Sequence, residues 1–172
     1  MKSGYCVNWD RARLVRVTLW GLLMPCRYVI DKERRLVIST GWDRVTFSEI
    51  KVHQDQLLSD PDFSPEFDQL ADGTAVTALD LSIDEAKEVA RRKLFSPTSK
   101  RAFVGSSPAI YGMLRLAGTY HEMSKESSKV SVFHDLPSAL QWLGLKDLPN
   151  TIKREAVKAK AAADPAGNEK TA

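Results

Sequence analysis

Between residues 26 and 144, short apolar runs alternate with signals that start helices, and this alternation restricts the chain more than any single motif. "CRYVIDKERRLVIST" places the polar residues Asp31 to Arg34 between two apolar runs, so residues 26–30 and 35–40 read as a hairpin. Thr46 and Glu49 stand at capping-box spacing, and Phe47, Ile50, Leu57 and Leu58 give the first helix its apolar face. Pro61 and Pro65 break the chain. "DQLADGTAVTAL" reads as a weaker strand with a turn at Asp72 and Gly73. Ser82 and Glu85 repeat the capping-box spacing and open a second helix through about Leu94, its face bracketed by Ile83, Ala86, Val89, Ala90 and Lys93. "KRAFVGSS" is a fourth strand signal, and "PAIYGMLRLAGTYHEMSKE" a helix with Pro108 in its first turn. "KVSVFHDL" and "PSALQWLG" supply a last strand and a short helix closed by Gly144.

The resulting order is β-β-α-β-α-β-α-β-α. Strands alternating with helices of this length require right-handed crossovers, so the expected fold class is α/β. The expectation is a single domain with a mostly parallel sheet and the first strand as its antiparallel edge. The pattern leaves open whether helices cover one face or both.

The two ends differ from this middle. Residues 1–24 carry no clear period, which fits either an upstream extension with Met24 as the start or a flexible, loosely docked arm. Residues 146–172 are rich in Ala and Lys, with little to bury, and read as a disordered or weakly helical basic tail. The α/β domain is therefore placed at residues 25–145, a size at which one chain buries a proper core. Net charge follows the same division: residues 1–25 carry +3, residues 146–172 carry +2, and the stretch between carries −2. A compact middle without a basic footprint predicts no nucleic-acid partner. "LVRVTLWGLLM" is interrupted by Arg16 and falls short of the roughly 20 apolar residues of a spanning helix, so no membrane insertion is expected. It lacks the processing features of a signal peptide. Two cysteines, Cys6 and Cys26, form neither a metal-type pair nor a disulfide framework, and a reducing cytoplasm is the expected setting.

The turn "GSSPAIYG" stands where a phosphate-gripping loop would lead from a strand into a helix. It has two glycines seven residues apart and no lysine, so it matches neither a P-loop nor a dinucleotide fingerprint. Ser106 or Ser107 as N-cap with Pro108 behind it is ordinary helix-start chemistry, with anion contact at Ser106 and Ser107 as the competing role. His53, His121 and His134 fall in three different elements, without a second His or Cys at ligand spacing. No metal site is expected, and each reads as a surface or half-buried residue. There is no Gly-x-Ser-x-Gly elbow, no placed cysteine nucleophile, no calcium loop and no cofactor motif. On these grounds no catalytic residues and no cofactor are expected. The third helix has an apolar surplus: Ile110, Met113, Leu114 and Ala117 form the inward stripe, and Tyr111, Leu116 and Tyr120 widen it. Tyr111, Met113, Leu116 and Tyr120 are thus candidates for a partner, dimer or apolar-ligand face.

The spaced segments "RRLVISTGWDRVTFSEI", "LLSDPDFSPEFDQL", "RAFVGSSPAIYGMLRL" and "VFHDLPSALQWLG" resemble small bacterial proteins of unassigned activity with the STAS, or SpoIIAA-like, fold of anti-sigma factor antagonists. The likeness spans about residues 25–145. It implies a four-stranded parallel sheet wound as a β-α superhelix plus an antiparallel strand, and no reaction. In true anti-sigma factor antagonists a serine at a helix N-terminus is phosphorylated by a partner kinase, and "ALDLSIDEA" puts Ser82 near that position. Leu81 and Ile83 depart from the Asp-Ser-Ser-Gly-like run of those domains, and Asp80, Asp84 and Glu85 already crowd the site with negative charge. The leading expectation is a non-enzymatic binding or regulatory module acting on a protein partner, on a second copy of itself, or on a small apolar ligand. A Ser82-switched regulator and an enzyme with an unrecognised site are the alternatives.

Overall fold

The computed structural model describes residues 24–123 and 128–148. The expectations for residues 1–23, for residues 124–126 of the third helix and for the tail beyond Leu148 lie outside the described residues. Nine elements follow in the expected order. They are β1 (Cys26–Asp31), β2 (Leu36–Thr46), α1 (Phe47–Ser59), β3 (Asp68–Asp80), α2 (Ile83–Arg91), β4 (Lys100–Val104), α3 (Pro108–Glu122), β5 (Lys129–Phe133) and α4 (Leu136–Leu143). The strands form one five-stranded sheet in the order β1-β2-β3-β4-β5. β1 is antiparallel to β2, and the other neighbours are parallel.

Both capping boxes form. Thr46 Oγ1 accepts from the Glu49 amide at 3.4 Å, and the Glu49 carboxylate accepts from the Thr46 amide at 2.7 Å. Ser82 and Glu85 repeat the exchange at 3.3 and 2.8 Å. Two orphan amide donors are satisfied at each start, which fixes where β2 and β3 hand over to helices. Gly144 closes α4 in the left-handed region at φ 78°.

Helices cover both faces of the sheet. Alternation along the strands sends Leu36, Ile38, Leu70, Ala102 and Val104 toward Ala139 and Leu143 of α4. Val37 meets Leu57 of α1 on the other side, with Leu94 and Phe95. Further along that second face Val45 and Val76 meet Ile110 of α3. α2 packs chiefly on α3 and secondarily on α1, rather than on the strands.

Three local expectations are corrected. Asp72 and Gly73 do not make a turn: β3 runs through them to Asp80, and β2 likewise runs on to Thr46. Asp72 Oδ1 accepts from the Thr74 amide at 3.0 Å and hydroxyl at 2.7 Å, a local bond that resembles a turn signal in sequence yet leaves the strand extended. The glycine serves close approach, since a Cβ at Gly73 would stand 2.8 Å from the Val104 carbonyl oxygen. α2 stops at Arg91, Lys93 is exposed beyond it, and Ile83 is 56% exposed. Leu94 and Phe95 therefore enter the core from the loop. In α1, Leu58 is 46% exposed, and His53 and Gln54 are buried beside Leu57.

Gly73→Ala is expected to destabilise the fold by about 1–3 kcal/mol, because the backbone of β4 must move to admit the methyl group. A urea midpoint equal to wild type would show that the two strands do not meet as described.

Candidate functional site

Because α2 rests on its neighbouring helices, space remains between it and the central strands. That space is a cavity of about 200 Å³, partly open to solvent, bounded by the sheet, α1, α2 and α3. Most of its wall is aliphatic: Val45, Val76, Ala86, Val89, Ile110 and Leu114 all contribute. Ser39, His53, Gln54, Gln69, Asp72, Arg101 and His121 also line it, and every one of these polar residues is buried.

The polar set has a backbone-imposed order. Gln69 pairs with Arg101 in the β3–β4 register. Arg101 Nε donates to Gln69 Oε1 at 2.8 Å, and Gln69 Nε2 donates to Ser39 Oγ at 3.0 Å. The ladder crosses three strands and uses both ends of the Gln69 amide. Beyond it, the Arg101 guanidinium lies over the rings of Phe95 and Phe103, 4.7 and 5.2 Å from their centroids. Burial pulls the Arg101 guanidinium down to about 10, so it remains charged at neutral pH. Among the described ion pairs none involves Arg101.

Two histidines face the same cavity from opposite sides, which corrects the expectation that each is surface or half-buried. His53 on α1 is 8% exposed and His121 on α3 is 7% exposed. His121 Nδ1 lies 2.9 Å from the Ala90 carbonyl, which can only accept, so that nitrogen carries the proton. Its Nε2 accepts from the Ser128 hydroxyl at 2.9 Å in the neutral ring, and burial lowers its pKa. Burial pushes His53 down to about 4, opposed by a hydrogen bond to the Arg27 backbone and assisted by the charge of Arg101. His53 Nε2 and Gln54 Oε1 are buried without a hydrogen-bond partner. His134 is exposed and stacks on Tyr111 at 3.7 Å between ring centroids.

Of the residues proposed from the sequence for a switch, an anion contact or a partner face, one reaches the cavity. Met113 lines the cavity. Tyr111 is held by the His134 stack, Lys87 lies over the Tyr120 ring, and Leu116 is half-buried outside the cavity wall. Ser82 is exposed, and its hydroxyl donates to Glu85 Oε2 at 2.8 Å within the α2 cap. Ser107 caps α3 by accepting from the Ile110 amide at 3.3 Å, and Ser106 donates to the Thr74 carbonyl at 3.1 Å. Cys26 reaches the cavity wall, where burial and then the charge of Glu49 push its thiol up to about 12. A thiol so protected from ionisation is a poor nucleophile. Among the described residues no cluster of His, Cys, Asp and Glu could hold a metal ion, and no helix is long and apolar enough to cross a membrane.

Read from the sequence alone, Ser39, Gln54, Gln69 and Arg101 go unmarked, and His53 and His121 are considered but given no site role, although a signal for several was present. Ile50, His53, Gln54 and Leu57 have the spacing of one buried helix face. Arg101 alternates with Ala102 and Val104 in a strand that the topology covers on both sides.

Fold and cavity together define a single-domain α/β protein with an amphipathic, partly open cavity between its sheet and three of its helices. Among solved structures the chain is similar to an uncharacterised protein of the DUF3478 family with a SpoIIAA-like fold from Shewanella loihica PV-4. The two share 18% identity over 69% of this chain and 93% of the other, with a TM-score of 0.47. No protein-family model and no curated protein matches the sequence.

The depressed pKa of His53 makes stability depend on pH with a definite sign. Unfolded, the ring takes a proton at its ordinary 6.5; folded, it resists until about 4. Stability complete above pH 6.5 is therefore lost as pH falls toward 4, by about 3 kcal/mol for this group. His121 adds loss of the same sign. His53→Phe should flatten the dependence of the urea midpoint over that window, and an unchanged slope would place the titration elsewhere.

Proposed function

We propose that the protein is a non-enzymatic binding module whose interior cavity holds a small, largely apolar molecule. The cavity itself carries this proposal. Natural interiors leave few voids larger than a water molecule, and a hole lined by aliphatic groups sacrifices about 24 cal/mol per Å³. At about 200 Å³, and partly open to solvent, the cavity forgoes at most about 5 kcal/mol of packing, a large amount beside the stability of a typical domain. A cavity of about 150 Å³ already accepts a benzene-sized molecule, so this chamber suits a compact ligand of somewhat greater size.

Binding suits the wall better than catalysis does. His121 has both ring nitrogens engaged, and Asp72 is tied to Thr74. Ser39 accepts from Gln69, and none of the described hydrogen bonds links a nucleophile to His53. A nucleophile, a base and an orienting group do not meet there, as covalent catalysis requires.

Saturating 1-octanol or naphthalene should raise the Tm of the protein. At ten times its Kd a ligand adds about 1.4 kcal/mol, a shift of a few degrees for a domain of this size. Ala86→Leu, which fills the cavity from α2, should abolish the shift while leaving the circular dichroism spectrum unchanged. If neither compound moves the Tm of the wild-type chain, the module does not bind ligands in this chamber.

A further inference from the structure

We propose that the cavity is specific for an apolar monocarboxylic acid, a short fatty or aromatic acid whose carboxylate pairs with Arg101 and whose tail lies against Val45, Val76 and Ile110. This deepens the binding-module reading and rests on it.

The cavity is polarised along the strands. Its polar groups gather where Arg101, Gln69 and Ser39 cross the sheet, near the beginnings of β4, β3 and β2. Val45, Val76 and Ile110 lie further on, toward the ends of β2 and β3 and the start of α3, so one end is charged and the other aliphatic. A molecule with an anionic head and a hydrocarbon body matches that division; a wholly apolar one leaves the cation without a counter-charge.

Arg101 is held ready for such a head. Its Nε is committed to Gln69, which is itself held by Ser39, so the guanidinium plane is fixed before a ligand arrives. Phe95 and Phe103 stabilise the cation through their ring faces but bring no negative charge. Asp72, the acid on the cavity wall, spends Oδ1 on Thr74. A planar carboxylate is the complement of a planar guanidinium, and a single monoanion balances a single buried cation.

A second observation points the same way. His53 Nε2, on α1, is buried, lines the same cavity and has no hydrogen-bond partner. Besides Arg101 and the Arg27 backbone, the Tyr28 ring faces it, edge-on at 5.5 Å between centroids. A carboxylate beside Arg101 supplies the negative charge that favours protonation of this ring, making Nε2 a second donor to the ligand.

Isothermal titration of the full chain with octanoate and with 1-octanol tests the proposal. The two probes share one hydrocarbon chain and differ in charge. Octanoate is expected to bind about tenfold or more tightly than 1-octanol, the margin of a charge-assisted hydrogen bond. Arg101→Met should erase that preference and retain 1-octanol binding, because replacing a buried ion by an apolar residue of similar length is often tolerated. Arg101→Lys, which keeps the charge and loses the fork, should retain part of the preference. If 1-octanol binds as tightly as octanoate to the wild-type chain, the carboxylate proposal is overturned while the cavity reading stands. Failure of both probes overturns both. The wild-type comparison decides the matter even if Arg101→Met does not fold.

Discussion

Covering both faces of a parallel sheet removes the solvent-facing side on which a strand ordinarily places its polar residues. Every inward position of β2, β3 and β4 then lies either in the α4 layer or under α1 to α3, and a polar side chain there must find its partner inside. The α4 layer is apolar at Leu36, Ile38, Leu70, Ala102 and Val104. The opposite layer holds Ser39, Gln69 and Arg101, which satisfy one another across three strands. The interior chemistry follows from that division. Hydrogen bonds within the ladder fix Arg101 but do not neutralise it, and the nearest compensation is aromatic.

The second contributor is the position of α2. Its start is set by the Ser82–Glu85 exchange, and it then leans on α3 and α1. A helix seated directly on β3 would have filled the space with Ala86, Val89 and Ala90. Small residues at 86 and 90 instead keep the roof thin, and the volume beneath it survives as a chamber. Gly118 serves the same end on α3, where a Cβ would come within 3.4 Å of Val130, so that helix sits close to β5.

Much of the fold was legible because it rests on local chemistry. Capping boxes at Thr46 and Ser82, proline behind Ser107 and the left-handed Gly144 are short-range devices with short-range signatures, and they place the elements in the right order. The errors arose where a residue's role was tertiary. Asp72–Gly73 has the composition of a turn, yet Gly73 answers to the Val104 carbonyl thirty-one residues along. Leu94 looks like the last apolar turn of a helix but arrives from a loop. The site was less legible for a related reason. His53 and Gln54 hold core positions of α1, and polarity concealed that. Arg101 follows Lys100 in sequence, and only the doubly covered sheet distinguishes the half-buried lysine from the buried guanidinium.

The ladder of Ser39, Gln69 and Arg101 also constrains how this protein can change over generations. An amide that serves two neighbours at once ties their fates together, so the effect of altering one rung depends on what occupies the other two. Drift at these three positions should therefore proceed as a concerted exchange, from one self-consistent trio to another, and lineages that swap the guanidinium for a neutral group are free to abandon the hydroxyl and the amide along with it.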